Sequence, residues 1–161
     1  MERSSARPAD GAEQILRTYG DMLYRICLVT LKNEADAEDA VQDVLIRWME
    51  KRIPFSSAEH EKAWLIRVAV NRCRDMLRRH HRQEVSLEEI PALSRDPEPS
   101  PVLAALLKVP EIFRTVLTLH YIEGYSVAEI AGLIGITGSG VKMRLQKGRH
   151  LLEQALEKEK I

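Results

Sequence analysis

The sequence predicts an all-α protein with two small helical domains joined by a flexible acidic linker. Apolar residues recur at helical spacing in successive segments, and no segment shows the alternation typical of a strand. The chain has 161 residues, 45% of them apolar, which is enough to build a core in one ordinary domain or in two small ones. A proline-rich acidic stretch after residue 82 divides the helical segments into two groups.

The first predicted domain covers residues 13–82 and follows a tail at 1–12 that we expect to be disordered. Its predicted helices span 13–32, 36–51 and 60–81. The second of these begins among carboxylates, which favour the positive end of a helix dipole. A loop that contains Pro54 separates it from the third helix.

Residues 83–101 have the composition of a linker. They hold four of the seven prolines and five acids against one base, Arg95. Such a segment cannot bury much apolar surface, so we expect an extended connection between domains.

The second predicted domain covers residues 102–158. Its predicted helices span 102–107, 110–122, 127–134 and 138–157. Pro110 suits a first helical turn, and Gly124 suits the stop after a helix. Ser126 and Glu129 have the spacing of a capping box at the start of the third helix.

Residues 126–149 predict a helix-turn-helix. Ala131 is small enough to let two helices approach closely, Gly135 can take the left-handed turn conformation, and Val141 can pack the second helix onto the first. The bases of the second helix follow Val141, and no acid occurs from residue 130 to 152. A cationic helix packed in this way indicates a DNA-binding unit more strongly than it indicates a pair of helices with only a structural role. The candidates to reach base edges or phosphates are Ser139, Lys142, Arg144 and Lys147.

Charge is segregated along a chain whose 24 basic and 24 acidic residues cancel. Residues 33–43 hold five acids and no base, whereas residues 62–82 hold seven bases and one acid, Asp75. Each block alone could be a solvated helix face. Together they predict two kinds of partner, a basic protein surface for the acids and nucleic acid for the bases.

Several classes of function are not supported by the residues. Cys27 and Cys73 lack metal-ligand spacing, and adjacent His80 and His81 point to different faces of a helix, so we expect free thiols and no metal. No arrangement suggests a nucleophile with its base, and no glycine-rich phosphate loop is present. We therefore expect a cytoplasmic protein that is not an enzyme, needs no cofactor and does not insert into a membrane.

Three segments, in order, resemble the compact extracytoplasmic-function group of bacterial RNA polymerase sigma factors. DAEDAVQDVLIRW (36–48) is similar to the family's segment that binds core polymerase. AWLIRVAVNRCRDMLRR (63–79) is similar to its promoter-melting and minus-ten helix. EGYSVAEIAGLIGITGSGVKMRLQKGR (123–149) is similar to its minus-thirty-five helix-turn-helix. The resemblance covers the chain from about residue 13 to 156.

The resemblance implies partners and roles for particular residues. It implies binding to the clamp and flap regions of core RNA polymerase, to promoter DNA and to an anti-sigma factor. The residues implied in clamp binding are Asp39, Gln42 and Asp43. The residues implied in minus-ten binding are Asn71, Arg72, Arg74, Asp75, Arg78 and Arg79. Loop 54–59 matches the loop that captures a flipped base in the family.

The recognition helix departs from the family pattern at its start. The family usually has Thr, Ser and Ala at the positions of Gly140, Met143 and Gly148. Because Gly138 and Gly140 each cost a helix about 1 kcal/mol relative to alanine, we expect this helix to fray before DNA binds. Two other functions remain open: a helix-turn-helix regulator that acts alone, and a sigma-like adaptor that sequesters a protein partner.

Overall fold

A computed structural model describes residues 9–82 and 100–159, and every regular element in these two stretches is helical. The helices are α1 (Ala9–Leu31), α2 (Glu34–Glu50), α3 (Ala58–Arg82), α4 (Pro101–Lys108), α5 (Glu111–Leu117), α6 (Val127–Ile134) and α7 (Gly138–Glu159). A π-helical turn (Thr118–Ile122) continues α5. The predicted all-α class is confirmed for the part of the chain described.

Helices α1 to α3 form an N-terminal bundle around aliphatic side chains such as Leu23, Val44 and Ile66, all fully buried. Helix α1 begins at Ala9, so the last four residues of the expected tail are helical. Leu16 belongs to the apolar pattern of α1 but is 45% exposed, because Ile15 beside it takes the core-facing position.

The acidic helix α2 is fastened at both ends. Asn33 caps its start, with the side-chain oxygen accepting a 2.9 Å hydrogen bond from the Asp36 amide. Near its other end the Trp48 indole donates a 3.0 Å hydrogen bond to Glu61 of α3. These contacts fix the direction of α2 on the bundle and leave its acidic face outward.

The C-terminal domain follows the predicted caps closely. Ser126 and Glu129 make both hydrogen bonds of a capping box at the start of α6. Gly135 ends α6 in the left-handed conformation, with φ of 73°. Gly124 also has a positive φ, 80°, and lies just beyond the π-helical turn. The predicted single helix at 110–122 is therefore an α-helix that widens into a π turn, closed by a bond from the Glu123 amide to the Thr118 carbonyl.

The two domains pack against each other, which the sequence did not predict. Helix α1 contacts α5, and α3 contacts α6. Buried side chains of both domains form one continuous apolar cluster. The predicted linker lies outside the described residues except for Ser100 and Pro101, which start α4.

Candidate polymerase and nucleic-acid interface

The outward face of α2 carries the residues expected to dock on polymerase. Asp39 and Gln42 are exposed, while Asp43 is half-buried. Asp43 accepts a hydrogen bond from the Arg72 guanidinium of α3 and forms a salt bridge with it. The structure thus separates the three: Asp39 and Gln42 are free to meet a partner surface, and Asp43 also holds Arg72 in place.

The C-terminal half of α3 carries the residues expected to read the minus-ten element. Their side chains point in two directions. Asn71, Asp75 and Arg79 are exposed, and Arg78 donates a 2.8 Å hydrogen bond to Asp75. Arg74 is half-buried and instead donates to the Ile134 carbonyl at the end of α6, at 3.0 Å. One side of the helix is therefore open to solvent, and Arg74 lies between the domains.

An aromatic cluster packs the loop before α3 against the first turns of that helix. The Phe55 ring lies 5.2 Å from the His60 ring and 5.5 Å from the Trp64 ring, centroid to centroid. The Lys51 ammonium sits 4.9 Å from the Phe55 centroid. Sequence reasoning missed Lys51 and His60, since only the folded loop turns Phe55 back against the start of α3.

The recognition helix α7 begins on a cap that sequence reasoning also missed. The Thr137 hydroxyl accepts a 3.0 Å hydrogen bond from the Gly140 amide. A Cβ on residue 140 would lie only 3.2 Å from that hydroxyl oxygen, which explains why glycine suits this position. The signal was available as a threonine three residues before the bonded amide, directly ahead of the predicted helix.

The residues expected to reach DNA from α7 are not equally accessible. Ser139, Lys142 and Lys147 are exposed, and the Lys147 ammonium lies 6.0 Å from the Phe113 ring centroid. Arg144 is half-buried and lines a groove of about 270 Å³ between the domains. Arg74 lines the same groove from the other side. Residues expected at two separate promoter elements thus line one groove.

Gly148 marks a close approach inside the C-terminal domain. A Cβ at this position would lie 3.1 Å from Leu117 Cδ1 and 3.2 Å from Phe113 Cβ. The missing side chain lets α7 lie tightly against α5. This departure from the family pattern is therefore a packing feature and does not alter the outward face of the recognition helix.

These features define a two-domain helical protein that pairs an acidic docking helix with a cationic helix-turn-helix. Its sequence matches the models of Sigma-70 region 2 over residues 15–83 and of Sigma-70 region 4 over residues 100–152. The chain therefore belongs to the sigma-70 family, and its relatives place it in the extracytoplasmic-function group, as the resemblance predicted.

Two relatives illustrate the similarity. The chain is 30% identical to the ECF RNA polymerase sigma factor SigW of Bacillus subtilis, over 91% of this chain and 89% of that protein. It is also 30% identical to SigE of Mycolicibacterium smegmatis, over 91% of this chain but only 62% of that protein's length.

Solved structures share the fold. The sigma factor RpoE from Bartonella quintana, in complex with the anti-sigma factor NepR, superposes with a TM-score of 0.78 at 22% identity, covering 92% of this chain and 98% of RpoE. CnrH, in complex with the cytosolic domain of CnrY, gives a TM-score of 0.66 at 25% identity, covering 93% of this chain and 90% of that chain. Among the described residues, no helix is long and apolar enough to cross a bilayer.

Proposed function

We propose that this chain binds core RNA polymerase and directs promoter recognition, strand opening and transcription initiation at a specific promoter set. The observation that carries the proposal is the order of its two matched regions, with an acidic docking helix in the first and a cationic recognition helix in the second. The chain catalyses no covalent step itself. It determines which promoters the polymerase recognises. It acts in the cytoplasm, where that polymerase works.

The docking role falls mainly on Asp39 and Gln42. Both are exposed on α2, and carboxylates on a rigid helix suit a basic surface such as the polymerase clamp. Asp43 contributes indirectly, because its contact with Arg72 fixes an arginine that would hold the DNA backbone.

Promoter contacts are divided between α3 and α7. Asn71 and Asp75 offer donors and acceptors for base edges in the minus-ten element, with Arg78 and Arg79 beside them. Lys142 and Lys147 would neutralise phosphates of the minus-thirty-five duplex, and Ser139 lies at the start of the same helix. Arg74 and Arg144 can join these contacts once the groove between the domains opens.

An anti-sigma factor is a second proposed partner. CnrH is 25% identical to this chain, and its structure contains the cytosolic domain of CnrY. An anti-sigma factor that bound this chain would control when the chain reaches polymerase.

Run-off transcription with purified core polymerase tests the function. We expect promoter-dependent transcripts with the native chain, and loss of polymerase binding when Asp39→Arg and Gln42→Arg are combined. Glu50→Arg, an exposed charge reversal at the end of the same helix, is the matched control. Tight duplex binding by the chain alone, without polymerase association, would instead identify a helix-turn-helix regulator. Binding of a protein partner without transcription would identify an adaptor.

A further inference from the structure

Buried polar side chains are concentrated where the two domains meet. Four polar or charged side chains are buried in the described residues: Thr30, Arg114, Thr115 and Thr118. The first three converge where the end of α1 meets α5, and the hydroxyl oxygens of Thr30 and Thr115 lie 3.3 Å apart. Burying polar groups is costly unless they are satisfied, so this concentration needs a structural reason.

Arg114 supplies that reason. Its side chain, only 5% exposed, donates to the carbonyls of Val29 at 2.7 Å and Thr30 at 2.9 Å. It also donates to the Val109 carbonyl in its own domain, at 2.6 Å. The first two carbonyls belong to the last turn of α1, where helix carbonyls lack helical partners and the dipole favours a cation. Burial lowers the pKa of Arg114 to about 10, so the guanidinium is still charged at neutral pH.

Arg74 makes the opposite connection. It extends from α3 in the N-terminal domain and donates to the carbonyl of Ile134, the last residue of α6 in the C-terminal domain. Each domain thus uses one arginine to satisfy the C-terminal end of a helix in the other. Arg114 is the buried member of the pair, and Arg74 is the member expected to read DNA.

Two further contacts hold the edge of this interface. Arg25 and Glu123 form a two-point salt bridge, with N–O distances of 2.8 and 3.1 Å, and the Glu123 side chain is only 7% exposed. The Lys62 ammonium lies 5.4 Å from the Tyr125 ring centroid. Both contacts join the N-terminal bundle to the segment just before α6.

We propose that the free chain inhibits itself by closing, with Arg114 as the latch that holds the domains together and withholds Arg74 and Arg144 from DNA. Both arginines are half-buried against the same groove of about 270 Å³, and Arg74 is already hydrogen-bonded to the Ile134 carbonyl. DNA must therefore displace the domain contact before both arginines can bind it. The closure stands on contacts within the chain, and only its effect on promoters rests on the proposed function.

The distance between spin labels on the two domains tests the closure. Glu38→Cys on α2 and Gln146→Cys on α7 place labels at exposed sites outside the interface, while the native Cys27 and Cys73 are buried. We expect one narrow distance distribution in the full-length chain. Arg114→Met, which keeps a long side chain but removes every donor, should give a broad and longer distribution. Arg17→Met, an exposed arginine on α1 away from the interface, should leave the distribution narrow.

A charge swap covers the case in which Arg114→Met fails to fold. Glu123→Arg places a second cation against Arg25 and should open the chain, and adding Arg25→Glu should close it again. A broad distribution in the native chain would overturn the proposal. So would an unchanged distribution in a folded Arg114→Met, or the absence of rescue by the swap.

Binding to a 24-base-pair mixed-sequence duplex tests the inhibition separately. If the open form makes up about a tenth of the free chain, Arg114→Met should bind the duplex about tenfold more tightly, because apparent affinity scales with the competent fraction. Equal affinity in the native and open chains would show that closure does not restrain DNA binding. Transcription by the native chain is a separate measurement, so its failure would count against the proposed function and not against closure.

Discussion

Arg74 has one hydrogen-bond partner among the described residues, the Ile134 carbonyl, and one proposed partner, promoter DNA. A guanidinium can donate to a helix-terminal carbonyl or bind a guanine edge or phosphate, but the same N–H cannot do both. In the structure the Ile134 carbonyl takes one of these donors. The proposed promoter contact of Arg74 would therefore compete with this bond.

The Glu129 carboxylate should make the stability of the helix-turn-helix depend on pH. The Ser126 amide donates a hydrogen bond to this carboxylate, and that bond, followed by the interaction with the Ser126 side chain, lowers the pKa of Glu129 below the ordinary glutamate value. A carboxylate with a depressed folded pKa adds stability above its unfolded pKa and loses it as pH falls through the folded pKa. NMR titration should show Glu129 protonating below an ordinary glutamate. Titration at the ordinary value would contradict this.

Glutamine at position 129 provides the control. It can still accept from the Ser126 amide but does not titrate, so Glu129→Gln should remove this contribution to the pH dependence of unfolding and keep the capping geometry.

At the scale of single elements, two helix glycines should respond to substitution in opposite ways. Around Gly132 an added Cβ would meet nothing within 4 Å, whereas at Gly148 it would press on Leu117 and Phe113. Gly132→Ala should raise the free energy of unfolding by about 0.5–1 kcal/mol through helix propensity. Gly148→Val should lower it by about 1–3 kcal/mol through overpacking. Urea denaturation measures both, and equal effects would contradict the close approach of α5 and α7.

The start of the recognition helix gives a second prediction at this scale. Thr137 caps α7, yet Gly138 and Gly140 weaken its first turn, so the expected fraying without DNA stays a prediction. Amide exchange across 137–143 should be faster than in the middle of α7 and should slow when DNA binds.

Thr137→Ala isolates the cap from the glycines. Removal of the hydroxyl should cost about 1 kcal/mol and further speed exchange across 137–143. Exchange in the native chain as slow as in the helix core would refute the fraying.

For the whole molecule, closure predicts how DNA binding depends on salt. Each lost phosphate contact lowers the slope of log affinity against log salt by about 0.9 in duplex DNA. Lys142→Gln removes an exposed cation and should lower the slope by about that amount in the native chain. Arg144→Gln should have little effect there, because Arg144 faces the groove.

The same two substitutions in an Arg114→Met background form the comparison. With the domains apart, Arg144→Gln should lower the slope as much as Lys142→Gln does. Equal effects of the two substitutions in the native chain would show that Arg144 already reaches DNA.

The sequence by itself determined the helical class, the caps at Ser126, Glu129 and Gly135, and the separation of acidic from basic surfaces. The helical class and the caps depend on neighbours three or four residues apart, so local periodicity and capping rules were enough to predict them. The charge separation follows from the composition of successive segments. Periodicity was less accurate in showing which apolar side chains are buried, because Leu16 fits the apolar pattern of α1 and is exposed.

Only the tertiary structure decided how the two domains meet. Arg114 was not singled out in the sequence, because the carbonyls of Val29 and Thr30 lie more than eighty residues away along the chain. The pairing of Arg74 with the end of α6, and of Asp43 with Arg72, likewise depends on long-range packing. Local patterns specify which faces a helix offers, and long-range contacts decide which of those faces remain available to polymerase and DNA.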